Sequence, residues 1–529
     1  MKSQPVLIGG EWRTSEGRET FSAYDPKRGV AWEERFPISP WSEVQRSLEC
    51  AYAAWEEVRN WPGTRFGLFL DAYADRLEKH AEQIARQAER ETALPYQPRL
   101  KDVELPRTVH QLRQAASAAR EESWRLCTID TATHIRSQLE SIGPVVVFGP
   151  NNFPLAFNSV AGGDFAAAVA AGNPVLAKAH TSHPETTRLM AELAHEAAQA
   201  TQMPSGFVQL IYRIHHEDGC RLAGHPLVGA VGYTGSRSAG LALKAAADRV
   251  GKPIYLELSS INPVVFLPGA VETSTDLLAE QFVSSCLMGT GQFCTNPGLV
   301  LVINNHGSQA LLMRVRDRFR ESPPGYLLSR GVLEHLDRSV QMLQDHGAEV
   351  LVGGKPVPGE GWRFENTLLS TSGERFTQAP DALQTEAFGN VSLWVLCRDA
   401  QELLRCLELL EGNLTGSIYS AADERDELLY QAVAKRLRPK VGRLLNDKMP
   451  TGVAVVPAMN HGGPFPATGH PGFTAVGIPA SLRRFARLAC YDQVRPQRLP
   501  FTLQDRNPTG ATWRFIDGVW TTNDVISQA

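Results

Sequence analysis

The chain has no C-x-x-C pair, no apolar run approaching the roughly 18 residues that would cross a bilayer, and no large excess of either charge. Its eight cysteines (Cys50, Cys127, Cys220, Cys286, Cys294, Cys397, Cys406 and Cys490) are scattered, which suits neither a disulfide scaffold nor a zinc ribbon and implies a reduced intracellular chain. Lys+Arg 53 against Asp+Glu 57 leaves −4, so no bulk positive field draws nucleic acid or an anionic membrane. Met1-Lys2-Ser3-Gln4-Pro5 lacks an apolar h-region, so no secretory leader is expected and the location expected is cytoplasmic. Gly 44 and Pro 34 are spread along the chain, which excludes collagen-like or low-complexity character. What is present is ordinary globular material: 43% hydrophobic and 21% charged residues over 529 positions. At roughly 150 residues per domain that length allows about three or four domain-sized units.

Periodicity divides the chain. Ser42 to Val58, and the stretch holding Phe66, Phe69, Leu70, Tyr73 and Leu77, carry apolar residues at helical steps and read as packing helices. From residue 144 short β-branched runs (Val145–Phe148, Val175–Ala177, Phe207–Ile211, Val228–Tyr233, Ile254–Leu258) alternate with helical stretches such as Glu185–Ala200 and Gly240–Val250. Buried strands alternating with helices indicate a parallel sheet covered on both faces, with its ligand crevice at the strand C-termini. Ser182-His183-Pro184-Glu185 reads as a capping box with Pro184 in the first helical turn. A second α/β region follows from Asn262 to about residue 470, with strands Pro263–Leu267, Leu299–Ile303 and Val391–Cys397 and helices Asp276–Met288, Gly307–Ser322 and Ala400–Glu411. The stretch from about 485 to 529 is Arg-rich, then polar and weakly periodic, as in a tail that packs on another domain or subunit.

Four segments carry chemistry. In Gly289-Thr290-Gly291-Gln292-Phe293-Cys294-Thr295-Asn296-Pro297-Gly298, turn residues place Cys294 where substrate can reach its sulfur, although a lone cysteine is ordinarily a small hydrophobe. Glu257 ends an otherwise apolar strand, and is either ion-paired there or a general base poised to activate water. Asn152, after the first parallel strand, can aim amide N–H groups into the crevice as an oxyanion donor must, while Asn-Phe-Pro by itself is only a turn. Gly232-Tyr233-Thr234-Gly235-Ser236-Arg237-Ser238-Ala239-Gly240 joins strand to helix and can present backbone N–H groups to phosphate, though it departs from G-x-G-x-x-G.

Together with Leu176-Ala177-Lys178 and Glu386-Ala387-Phe388-Gly389, these segments resemble the aldehyde dehydrogenase superfamily in order and spacing over nearly the whole chain. Phe157-x-x-x-Ala161-Gly162-Gly163-Asp164, Lys178-Ala179-His180-Thr181 and Gly462-Gly463-Pro464 are most similar to its NADP-preferring branch, which holds 2,5-dioxopentanoate and fatty-aldehyde dehydrogenases. The resemblance implies an α/β fold of two doubly wound units plus a small arm. Residues 1–130 and 144–257 would bind the nucleotide, 258–484 would form the catalytic unit, and 131–143 with 485–529 would form an oligomerisation arm. A homodimer or homotetramer is expected.

It also implies roles: Cys294 as nucleophile, Asn152 and the Cys294 N–H for the oxyanion, and Glu257 delivering water to a thioester. Lys178 and Glu386 would hydrogen-bond the cofactor riboses, while Gly235, Ser236 and Gly240 would meet the pyrophosphate. Where NAD-preferring members often carry a ribose-gripping Glu, this chain has Thr181. A hydroxyl tolerates a 2′-phosphate that a carboxylate repels, and Lys178, His180 and Arg213 would add positive charge. NADP is therefore expected, with NAD as the alternative. Ser259-Ser260 stands where the family usually has two glycines, and Asn390 where it has proline, which leaves local geometry open.

No metal site is expected, because His215-His216-Glu217-Asp218 lacks ligand spacing and reads as a solvated loop. Arg107 and Arg113 would either approach a substrate carboxylate or lie on a helix surface. The leading expectation is NADP-dependent oxidation of a semialdehyde such as 2,5-dioxopentanoate to the acid. The alternatives are a fatty-aldehyde dehydrogenase, a CoA-acylating enzyme, which Glu257 argues against, and an inactive homologue.

Overall fold

A computed structural model of the chain describes residues 3–526. Met1 and Lys2, where a leader would start, and the last three residues of the 485–529 tail lie outside the described residues.

The β-branched runs form the five-stranded parallel part of a seven-stranded sheet. Val145–Phe148 lies at the centre of that part, flanked by Val175–Lys178 and Ala230–Thr234, with Val208–Ile211 and the edge strand Ile254–Glu257 beyond them. Alternate residues of the central strand enter different cores. Val145 and Val147 pack with Phe165, Ala166 and Met190, whereas Val146 and Phe148 pack with Val44, Leu48 and Leu243. Helices on both faces, among them Trp41–Val58, Pro184–Ala200 and Arg237–Asp248, explain why every residue of Val145–Phe148 is apolar and buried.

The sheet is extended by a hairpin the sequence pattern did not announce. Val6–Ile8 and Glu11–Arg13 pair antiparallel through Gly9 and Gly10, both at positive φ, and Val6–Ile8 joins Val208–Ile211. Strands of three residues are too short to show a period.

A second seven-stranded sheet, from Val264–Phe266 to Val441–Asn446, is parallel except for Glu349–Val352 at one edge. The helix expected over Asp276–Met288 spans Pro268–Leu287, with a kink at Ser274. The tail is not irregular: Ala486–Asp492 pairs antiparallel along the whole of Ile135–Ser141, and Arg514–Ile516 and Val519–Thr521 complete a five-stranded sheet. Thr128–Asp130, within the span assigned to the nucleotide unit, also belongs to this third sheet.

The expected capping box is absent. His183 is the N-cap, its ring turned to the Pro150 carbonyl at 2.9 Å and making no cap bond, so Glu185 falls one position short of the place from which it could reach back. Pro184 does occupy the first turn. The carboxylate of Glu91, from helix Ala81–Thr92, takes over: it accepts the Glu185 N–H at 2.9 Å, the Thr186 N–H at 2.8 Å and the Thr186 hydroxyl at 2.6 Å. A carboxylate at a helix N-terminus is also favoured by the helix dipole.

Glu91→Ala strands two N–H groups in the core, at about 1–3 kcal/mol each. The variant is expected to shift the denaturant midpoint clearly downward, whereas Ser182→Ala stays within about 0.5 kcal/mol of the parent. Equal effects in urea melts would mean that Ser182 caps the helix after all.

Candidate active site

The three stretches expected to hold catalytic groups converge at the C-terminal ends of the parallel strands. Helix Pro268–Leu287 breaks at Met288, and Gly289, Thr290 and Gly291 then take positive φ in succession. A side chain at Gly291 would meet the Gly389 carbonyl at 2.1 Å, so only glycine lets the two segments lie this close. The loop is tied from below by Asn262, whose side-chain amide donates to the carbonyls of Cys294 and Asn296, each at 2.9 Å. Cys294 is thereby held half-buried.

Glu257 ends its strand, and its backbone carbonyl accepts the Gly235 N–H at 3.1 Å. Its carboxylate is paired with His461, a residue the sequence reading passed over: Nε2 lies 3.0 Å from Glu257 Oε1 and 3.5 Å from Cys294 Sγ. His461 is held by its own N–H, which donates to Thr474 Oγ1 at 3.0 Å. Burial pushes the Cys294 thiol well above its usual range, the Glu257 charge adds to this, and Arg107 opposes it. The sulfur is therefore a protonated thiol at neutral pH, and a proton acceptor at 3.5 Å is what would activate it. Asn152 is tied to the Cys294 loop: one amide N–H donates to the Gln292 carbonyl at 3.0 Å, and a side-chain amide carries a second.

An aromatic cluster packs beside these groups, with Phe157 5.8 Å from the His461 ring. Phe153 meets Phe157 and Phe293 edge-on, each pair at 5.3 Å, and Phe473, Val453 and Met459 belong to the same cluster. Two arginines lie against it. Arg99 lies 4.3 Å from the Phe153 ring centre, pairs with the buried Glu104 at 2.8 Å and donates to the Asn152 carbonyl at 3.1 Å. Glu104 in turn accepts the N–H groups of Leu155 and Ala156 at 2.8 and 3.0 Å and so fixes the Asn-Phe-Pro loop.

Arg107 lies against Phe153 and Phe157, and its Nε and Nη2 are buried without a partner among the described residues. Burial pulls it below its usual value, while Glu104, Cys294 and Glu257 hold it up. Arg113, the second arginine considered, does not reach the site: it points to solvent, bonded to Asp75 and Glu78, because it falls on the outer face of the same helix. The His215–Asp218 cluster is solvated, and His216 opens a short helix there.

Of the expected cofactor residues, Lys178 ends its strand, half-buried. Burial lowers it to about 8, and the Arg213 charge contributes, so these two cations face one region. Thr181 lies in the following turn. His180 is corrected: burial drives its ring well below the usual range, and it stacks on His183, itself lowered to about 4, so both are neutral near pH 7 and add no charge. Ser236 is the N-cap of helix Arg237–Asp248 and makes no side-chain cap bond, which leaves the helix's first N–H groups free of a side-chain acceptor. A side chain at Gly235 would meet the Tyr233 hydroxyl at 2.7 Å, and one at Gly240 would meet Leu258 at 2.5 Å. Gly240 thus serves close packing of the helix on the strand and lies a turn inside it.

Glu386 is raised to about 7 by burial, against the pull of the Ser260 N–H that donates to it at 3.1 Å. Of the two serines in place of glycines, Ser260 is structural, its Oγ donating to Asn262 Oδ1 at 2.9 Å and accepting the Leu414 N–H at 3.0 Å, whereas the Ser259 side chain bonds Glu386. Asn390 is likewise absorbed by the fold, donating to the Phe364 carbonyl at 2.9 Å. Arg237, Ser259, Glu386 and Asn413 line a shallow cleft. A helix N-terminus without a side-chain cap, with small residues around it, is the kind of place that takes a phosphate.

Comparison with known proteins agrees with this geometry. Residues 12–463 match the aldehyde dehydrogenase family. The alpha-ketoglutaric semialdehyde dehydrogenase 2 of Azospirillum brasilense is 38% identical, covering 97% of this chain and 98% of its own. A protein named alpha-ketoglutaric semialdehyde dehydrogenase from Acinetobacter baylyi is 36% identical, covering 91% and 92%. Among solved structures, a Thermus 1-pyrroline-5-carboxylate dehydrogenase with bound NAD superposes with TM-score 0.80 at 22% identity, covering 93% of this chain and 92% of that one. PnpE in complex with nicotinamide adenine dinucleotide gives 0.79 at 21%, covering 94% and 99%. The structural likenesses carry the fold, the sequence matches carry the relationship, and the chain belongs to the aldehyde dehydrogenase family as an NAD(P)-dependent enzyme.

Proposed function

We propose that the enzyme oxidises a short anionic semialdehyde, 2,5-dioxopentanoate being the leading candidate, to the carboxylic acid, with NADP preferred over NAD and a thioester formed on Cys294. The observation that carries the substrate class is Arg107: a half-buried guanidinium with two buried, unpartnered nitrogens, near enough to feel the charge of the sulfur, is a costly arrangement until an anion fills it. The names of the two relatives above one-third identity support the same class. The aromatic cluster would also take an alkyl chain, but such a substrate leaves Arg107 unanswered.

The reaction follows from the groups present. Bound nicotinamide supplies the hydride acceptor. Lys178 and Glu386 would hold its riboses, the Gly235-Ser236 turn its diphosphate, and Thr181 with Lys178 and Arg213 a 2′-phosphate. His461 Nε2 takes the thiol proton of Cys294, and Glu257 at 3.0 Å balances the imidazolium. The sulfur then attacks the aldehyde carbon, and the oxyanion is met by Asn152 Nδ2 and the Cys294 N–H. Once hydride has left the carbon a thioester remains. Glu257, whose Oε2 is buried without a partner among the described residues, takes a proton from water as that water attacks, and the sulfur departs as the His461 imidazolium returns its proton to it. This base facing the sulfur supports hydrolysis over CoA acylation. The open edge of Ala486–Asp492, with Leu488 71% exposed, supports a homo-oligomer assembled through the third sheet.

Cys294→Ala is expected to abolish NADPH formation while fluorescence titration still shows cofactor binding. Glu257→Gln should slow steady turnover by about 10²–10⁴-fold while a stopped-flow burst of one NADPH per site persists. Loss of the burst would place Glu257 before hydride transfer. Arg107→Leu should lower the ratio of kcat/KM for 2,5-dioxopentanoate over butanal by about 10–100-fold, as removal of one charged hydrogen bond predicts. An unchanged ratio removes Arg107 from substrate recognition. Thr181→Glu should turn the NADP preference toward NAD by about tenfold or more, read from kcat/KM with each cofactor.

A further inference from the structure

The groups that meet at the reaction centre are also a ligand set. Cys294 Sγ, His461 Nε2 and a Glu257 carboxylate oxygen all lie within 4.8 Å of one another. The sulfur–nitrogen and nitrogen–oxygen spacings are 3.5 and 3.0 Å. Around a tetrahedral zinc ion, bond lengths of about 2.3 Å to thiolate and about 2.0–2.2 Å to imidazole and carboxylate place neighbouring ligand atoms roughly 3.4–3.6 Å apart. The three groups therefore need only a side-chain adjustment to share one ion. We propose that Cys294, His461 and Glu257 form an inhibitory site for zinc(II), or a thiophilic divalent cation of its size, which ligates the nucleophile and holds the enzyme at rest.

Two further observations point to a cation there. Glu257 Oε2 is buried without a partner among the described residues, so the carboxylate has bonding capacity to spare. Nε2 also faces both the carboxylate and the sulfur, and a single proton on it can serve only one of them, whereas a cation bonds all three groups at once. Charge agrees: a dication, a thiolate and a carboxylate sum to zero, a much easier combination to bury than the two anions alone.

Each ligand is carried on a constrained backbone. The Glu257 carbonyl holds Gly235 and its strand end bridges Thr468, the His461 N–H is fixed by Thr474, and the Cys294 loop is fixed by Asn262. Three protein ligands leave a fourth position for water or an incoming anion. Arg107 and Arg443, both close enough to interact with the sulfur, limit the affinity and keep the ion exchangeable. In the binding step a Zn–S bond forms, the thiol proton leaves to bulk water, and nothing is oxidised or reduced. The inhibitory consequence rests on Cys294 being the nucleophile of the proposed reaction; the binding does not.

Full-length enzyme, freed of metal with EDTA and gel-filtered, would be titrated with zinc chloride against a chromophoric zinc chelator without cofactor. One zinc per subunit is expected, removable by EDTA. Cys294→Ser and His461→Asn should each weaken binding by about 100-fold or more, since removal of a ligand costs at least as much as removal of its outer support. Cys490→Ser, at an exposed cysteine, should leave binding as it is. In the unmutated enzyme, zinc should slow iodoacetamide labelling of Cys294 by about tenfold, and magnesium, an oxygen-seeking ion, should not. Zinc binding that is unchanged in both ligand variants, or labelling that zinc does not slow, overturns the proposal. If zinc binds and protects but the metal-free enzyme oxidises no aldehyde, the site stands and the proposed reaction falls. If the metal-free enzyme turns over and zinc neither binds nor inhibits, the zinc site alone falls.

Discussion

One nitrogen governs the centre of this enzyme. His461 Nε2 stands 3.0 Å from the Glu257 carboxylate and 3.5 Å from the Cys294 sulfur, and it holds either a proton or a lone pair. With a proton it bonds the carboxylate and leaves the thiol unactivated; without one it can draw the proton from sulfur. The surroundings make the choice consequential, because Glu257 and His461 are 1% and 2% exposed and charge there is little screened by water. A thiol held in its neutral form by burial is a poor nucleophile until that nitrogen is ready, so reactivity is tied to proton position rather than to a standing thiolate.

Such a centre needs a scaffold that does not drift, and the scaffold is made of buried polar side chains bonded to loop backbone. Asn262 holds the carbonyls around Cys294. Asn413 Oδ1 accepts the N–H groups of Ile261 and Asn262 at 2.9 and 3.1 Å, which fixes Asn262 itself. Glu104 fixes the loop that bears Asn152 and neutralises Arg99, which leaves Arg107 as the guanidinium without an answer. Ser260 binds the Asn262–Asn413 pair on one side and Glu386 on the other, so the Cys294 loop and the cleft beside Glu386 share one support.

The amino-acid order made the central strands visible because a strand buried on both faces must be apolar throughout, and Val145–Phe148 and Val264–Phe266 are. The loops bearing Cys294, Glu257 and Asn152 were visible because glycine, proline and strand-end polar residues mark them. What stayed hidden depends on partners far along the chain. His461 precedes Gly462-Gly463-Pro464 by one residue, and nothing local distinguishes it from a turn histidine; its meaning comes from Glu257, 204 positions away. The helix at Pro184 looked self-capped, yet Glu91, 94 positions earlier than Glu185, supplies the acceptor. Arg107 and Arg113 looked alike in one helical segment, and only the direction of each from the helix separates a half-buried cation from a surface pair. His180 looked like a positive charge for a phosphate, and burial, which composition does not reveal, removes it.

The touching backbones at Gly291 and Gly389 couple two segments of the chain. A single methyl group at residue 291 would collide with the segment leading out from Glu386, so the loop presenting the sulfur and the loop bearing Glu386 can shift only together. Side chains of the neighbouring aromatic cluster, such as Phe153, Phe473 or Met459, are under no such backbone constraint and can be exchanged without moving either loop.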